Sequence, residues 1–99
     1  MQELVMLAKI LSDINRVNII ALLKRDSELC VCEICDTLEL SQPLVSRHLK
    51  QMREADIVTS EQSGRWKTYQ LLANELLEYI FDTKEINSSR LPTLIKCSK

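Results

Sequence analysis

Three of the chain's four cysteines, Cys30, Cys32 and Cys35, fall within the run Glu28-Leu29-Cys30-Val31-Cys32-Glu33-Ile34-Cys35. Thiols at that density bind a soft ion or form a disulfide, and soft thiolate donors select such ions over magnesium or calcium. The spacing sets a geometric condition. At about 100° per residue, Cys32 and Cys35 lie roughly 60° apart on one helix face, whereas Cys30 lies roughly 160° from Cys32. No regular helix points all three at one atom, so either Cys30 precedes the helix or ligation unwinds its first turn. The acids Glu28, Glu33 and Asp36 are expected to raise the thiol pKa values, which leaves the ion to drive deprotonation and makes its affinity pH-dependent. Cys32 and Cys35 also have the spacing of a redox pair, but without the βαβ pattern that usually surrounds one. Cys97 stands apart and is read as a bystander, with ligation from a folded-back tail as the second reading.

The elements that must position these thiols follow from periodicity and punctuation. Leu4 to Leu11 is an apolar helical stretch ended by Ser12-Asp13, which can cap the next helix. Ile14 to Lys24 carries apolar residues around most of its circumference and is expected in the middle of the core. After the polar break Arg25-Asp26-Ser27 comes a short helix, Val31 to Leu38, and a tight turn, Glu39-Leu40-Ser41. Ser41 is an N-cap and Pro43 sits in a first turn, where a missing N–H is harmless. Val45, Leu49 and Met52 then form one buried stripe, while Pro43, Ser46, Arg47, Lys50 and Glu54 share the opposite arc of a helix running to Ala55. Ile57–Gln62 and Arg65–Leu71 read as two short strands joined through Ser63-Gly64. Asn74 caps a last helix, Glu75 to about Lys84, and Ile86 onward reads as a loosely held tail.

The expected fold is therefore mostly α, a winged helix-turn-helix of five helices plus a two-stranded β-hairpin wing. One domain spans residues 1–85, with a flexible tail over 86–99. The leftover apolar residues of the first and last helices exceed what a 99-residue monomer buries, so a homodimer is expected.

Charge supports a nucleic-acid role despite a net charge of −1. Ser41 to Lys67 holds five basic residues against three acidic ones, whereas Asp26 to Glu39 holds five acids and no base. A basic surface on an acidic body is what local phosphate binding requires. Ser46 and Arg47 are assigned to base edges, where arginine takes guanine bidentately. Gln42, near the helix start, reads a base or holds a phosphate, and Lys50 joins the contact face. Arg65 and Lys67 on the wing hold phosphates or enter the minor groove. His48, at the flank of the stripe, serves packing or a phosphate contact. Trp66 is assigned to the wing core.

No general base stands beside a nucleophile, so catalysis is not expected. No apolar run approaches the roughly 20 residues of a membrane span, and Met1-Gln2-Glu3 lacks the basic start of a signal peptide. The expected location is the cytoplasm.

The chain resembles the ArsR/SmtB winged-helix repressors over nearly its full length. The resemblance rests on Leu11-Ser12-Asp13 with Asn15-Arg16, on Glu28-Leu29-Cys30-Val31-Cys32, on the run from Leu40 to Leu49 (Leu-Ser-Gln-Pro-Leu-Val-Ser-Arg-His-Leu), and on the wing Gly64 to Tyr69. It implies a homodimeric repressor that binds operator DNA and releases it when a toxic metal or metalloid binds. Cys-Val-Cys with a third cysteine three residues on is similar to the As(III) or Sb(III) site of the arsenical-resistance repressors, which implies ligand roles for Cys30, Cys32 and Cys35. The cadmium/lead branch adds cysteines from an N-terminal extension, and none precedes Cys30 here. The zinc, nickel and cobalt branches use histidine and carboxylates on the last helix, which here has Glu75, Glu78 and Asp82 but no histidine. Ile14 stands where proline is common. A repressor responsive to Cd(II), Pb(II) or Zn(II), with Cys97 or a carboxylate as fourth ligand, is the alternative within the family. From another class, the alternative is a thiol-disulfide sensor or interaction module using Cys32 and Cys35.

Overall fold

The computed structural model describes residues 1–80 and 92–95. Five helices surround a three-stranded antiparallel sheet: α1 (Gln2–Ile10), α2 (Ile14–Asp26), β1 (Glu28–Cys30), α3 (Val31–Leu38), α4 (Gln42–Glu54), β2 (Val58–Ser63), β3 (Trp66–Leu71) and α5 (Glu75–Ile80). The helices and the hairpin fall where periodicity predicts them. The continuation of the last helix toward Lys84, most of the expected tail and Cys97 lie outside the described residues.

Alpha2 supplies the centre of the core through Ile19, Ile20, Leu22 and Leu23, with Val45, Leu49 and Met52 of α4 packed into the same cluster. Ile14, read with that core helix, is instead 69% exposed at its first turn. Asp13 caps α2 by accepting the Asn15 N–H at 2.8 Å. That bond, against some opposition from burial, holds the Asp13 carboxyl below its ordinary 3.8. The folded-state pKa lies below the unfolded one, so the stabilisation is complete above 3.8 and is lost as pH falls through the lowered folded value. Asp13→Asn keeps an acceptor but does not titrate. The melting-temperature gap between wild type and this variant is therefore expected to shrink as the buffer is taken from pH 5 to pH 2.

The sheet differs from the two-stranded expectation. Its order is β1-β3-β2, so β3 is the central strand and the wing hairpin is extended by β1. Leu29 pairs with Tyr69 and Cys30 with Thr68, while Thr68 also faces Glu61 of β2. Beta1 has three residues and no turn of its own to β3, so nothing local in Glu-Leu-Cys marks it as a strand. Gly64 takes φ +61 at the hairpin tip, a region open to glycine without a Cβ penalty.

The short helix α3 is tied at both ends. Cys30 is the N-cap of α3, with extended backbone (φ −88, ψ 164). Glu33 returns its carboxylate to the Cys30 N–H at 3.0 Å, one arm of a capping box. At the other end Glu39 adopts left-handed geometry (φ 55), and the Cys35 carbonyl accepts the N–H groups of both Glu39 and Leu40, the latter at 3.0 Å. This closes α3 and begins the turn to α4. From the described tail residues 92–95, the Ile95 N–H donates to Thr37 Oγ1 of the same helix at 2.9 Å, and Leu94 packs against the core.

Candidate nucleic-acid interface and thiol site

Alpha4 starts at a true cap: Ser41 Oγ accepts the Leu44 N–H at 3.4 Å, and proline occupies the first turn. Val45, His48, Leu49 and Met52 are its buried face. Gln42, Ser46, Arg47 and Lys50 are exposed on the other. Arg65 and Lys67 are exposed on the wing, and Lys67 Nζ lies 5.7 Å from the Tyr69 ring centroid. Among the described residues Arg47, Lys50 and Arg65 form no ion pair, so their charge is available to phosphate. A helix-turn-helix with an unpaired cationic outer face, flanked by a basic hairpin, presents two elements to a duplex. No helix among the described residues is long and apolar enough to cross a membrane.

His48 is 4% exposed on the buried side of α4, which supports the packing reading. Arg16 Nη1 approaches its Nδ1 at 3.5 Å, and Nε2 has no partner among the described residues. Burial holds the ring's pKa below its ordinary value, opposed by the Asp13 charge and aided by Arg16 and Arg47.

Arg16 itself is a structural residue that sequence reasoning left as part of a family motif. Its Nε donates to Ile10 O at 2.8 Å, Nη2 to Lys9 O at 3.0 Å and Nη1 to Gln51 Oε1 at 2.8 Å. One guanidinium thereby closes the end of α1 and fastens it, with α2, to α4. Gln51 lies 35 residues on, so no local pattern announces that contact.

The three candidate ligands do not form one cluster. Cys30 and Cys35 are free, buried thiols, 3% and 9% exposed. They are close enough for the charge of Cys30 to act on Cys35. Cys32 is exposed on the first turn of α3, its sulfur 3.5 Å from Asp36 Oδ2, and it is not free. Among the described residues no three histidine, cysteine or acidic side chains are arranged to hold a metal ion. The angular conflict in the spacing is thus resolved in one direction: Cys30 stands before the helix rather than on it. Burial is the first cause of a raised Cys35 pKa, ahead of the Asp36 charge, whereas the sequence pointed to the neighbouring acids alone. The donor chemistry, three thiols with no histidine beside them, fits a soft trivalent ion once the first turn of α3 moves and Cys32 is released as a reduced thiol.

The family model "Bacterial regulatory protein, arsR family" matches residues 13–60. The arsenic resistance transcriptional regulator ArsR1 of Pseudomonas putida is 49% identical over 63 residues, 64% of this chain and 49% of that protein. The chain therefore spans about half the length of that relative. The arsenical resistance operon repressor of Staphylococcus xylosus is 36% identical over 86% of this chain and 80% of its own length. Among solved structures, HlyU from Vibrio cholerae superposes with a TM-score of 0.75 at 26% identity, over 88% of this chain and 92% of that one. The homodimeric winged helix-turn-helix DNA-binding domain Mb0332 from Mycobacterium bovis gives 0.72 at 20% identity, over 88% and 79%, and shows the shared fold.

Proposed function

Because this chain belongs to the arsR family of bacterial regulatory proteins, we propose that it is a homodimeric repressor of an arsenical-resistance operon. In this reading it is derepressed when As(III) or Sb(III) is held by Cys30, Cys32 and Cys35. The observation that carries the reading is the double attachment of α3. The helix bearing the thiols packs on α4, and the Cys35 carbonyl also fastens the turn into α4.

Gln42, Ser46, Arg47 and Lys50 contact the major groove, with Ser46 and Arg47 at base edges, and Arg65 and Lys67 hold phosphate beside it. The exposed apolar residues Leu4, Val5 and Met6 of α1 and Leu76, Tyr79 and Ile80 of α5 supply the dimer surface. Two α4 helices must then enter successive major grooves about 34 Å apart. A soft trivalent ion would supply three bonds to sulfur that favour a rearranged first turn of α3. The chain's own part is to convert that rearrangement into a tilt of α4 through the Cys35 carbonyl and the α3–α4 packing. About 3 kcal/mol of coupling between the sites weakens DNA binding more than a hundredfold.

The test is release of a native upstream promoter fragment, titrated with arsenite, antimonite, cadmium and zinc against reduced wild-type and Cys32→Ser protein. Release by arsenite or antimonite that the variant loses is the expected result. Release by cadmium or zinc alone moves the chain to the divalent branch, and release by no ion overturns the metal-sensing reading.

A further inference from the structure

Cys30 belongs to two elements at once. It is the N-cap of α3 and the last residue of β1, where it pairs with Thr68 of the central strand β3. Beside that pair, Thr68 Oγ1 donates to Glu28 Oε1 at 2.7 Å, so β1 is clasped to β3 by a side-chain bond as well as by the ladder. On its other edge Thr68 faces Glu61 of β2, and the next residue toward the hairpin tip is Lys67. Any movement of Cys30 is therefore felt first at the root of the wing.

Movement of Cys30 is what the thiol geometry demands. Its side chain is buried, that of Cys32 is exposed, and Cys32 is fixed to the first turn of a helix that Cys30 only caps. Bringing the two sulfurs together strains either the Cys30–Thr68 pair or the bond from the Cys30 N–H to Glu33. Beta1 has only three paired residues to resist this.

We infer that the wing is a second output of the thiol site, with Thr68 and Glu28 as the clasp that holds β1 on β3 in the DNA-competent state. This deepens the reading proposed above and rests on it. Neither residue is a ligand or faces DNA; both are positioning residues that bias the equilibrium between the clasped and the loosened wing. Linkage then fixes the sign of the effect. Weakening the clasp favours the loosened state, so it lowers DNA affinity and raises arsenite affinity, and the two fold-changes multiply to the factor by which the clasp equilibrium moves.

The experiment uses the full chain, with arsenite as the probe. Arsenite binding to reduced wild-type, Thr68→Val and Glu28→Gln protein is measured directly by calorimetry without DNA, and promoter affinity is measured separately without arsenite. Removing the hydroxyl in Thr68→Val is expected to weaken DNA binding and tighten arsenite binding, the two fold-changes multiplying to roughly two- to tenfold, the scale of one hydrogen bond, with most of it in the arsenite arm because the free protein is clasped. Glu28→Gln keeps an acceptor oxygen but loses its charge, so it should fall between wild type and Thr68→Val in both. In wild type, amide exchange at Lys67, Thr68 and Tyr69 should accelerate roughly tenfold at saturating arsenite while Ile19 to Leu23 stay protected. Arsenite that binds and releases DNA without changing exchange at β3 would overturn the wing output and leave the repressor reading standing. A Thr68→Val protein that loses DNA affinity without gaining arsenite affinity would show a merely structural threonine and overturn the clasp. Failure of wild type to bind arsenite at all removes the sensing reading and this inference together.

Discussion

Arg16→Ala is expected to lower the stability of the fold by roughly 2–4 kcal/mol, read as the shift in urea midpoint at a fixed protein concentration. The guanidinium fills three acceptors at 2.8, 3.0 and 2.8 Å, two of them terminal carbonyls of α1, of which that of Lys9 also accepts the Ser12 N–H and hydroxyl. Its removal also leaves His48 Nδ1 without its neighbour, adding to a ring whose Nε2 lacks a partner among the described residues. Arg16→Lys should recover less than half of the loss. A single ammonium cannot span acceptors on α1 and α4, whereas the planar fork does so in one rotamer. Full recovery by lysine would mean that charge, not the fork, holds the two helices together.

Arg47→Ala is expected to act on DNA and leave stability within about 0.5 kcal/mol, because the residue is exposed and makes no ion pair. One bidentate arginine–guanine contact is worth about 1–3 kcal/mol. A dimer would lose two, so operator affinity should fall by somewhere between about 30-fold and 10⁴-fold. The same titration run at several salt concentrations identifies the kind of contact. Loss of base contacts relaxes specificity at one position in each half-site and leaves the salt slope nearly unchanged. Loss of phosphate contacts weakens all sequences alike and lowers the slope by about 2 for the pair. An unchanged affinity would remove α4 from the DNA-reading role assigned to it.

The helix-turn-helix was legible because its signals are local. Ser41 caps, Pro43 opens the helix, and Val45, Leu49 and Met52 mark the buried face; all three behave accordingly. The burial of His48 was equally within reach, since it completes the i, i+3, i+4, i+7 pattern with those residues. Its polarity kept a phosphate contact beside packing as an equal reading. Beta1 and the Arg16 contacts were not legible, and for one reason. A three-residue strand is defined by a partner 40 residues away, and the Arg16 acceptor on α4 lies 35 residues on. At the thiol site the spacing alone showed that a helix cannot present all three sulfurs together. It did not show that two would face inward and one outward, because that depends on where β1 ends and α3 begins.

Alpha3 has eight residues, little more than two turns. A helix that short has no stability of its own in water, since nucleation is costly and few bonds follow it; its end attachments and packing keep it formed. Unravelling its first turn removes about half of what propagates, and the remainder has no intermediate length at which to rest. Each subunit is accordingly expected to respond in a step rather than by a graded bend. At half-maximal inducer the proposed repressor would hold two kinds of subunit, engaged and released, and the dose–response curve would count them rather than measure how far each one has moved.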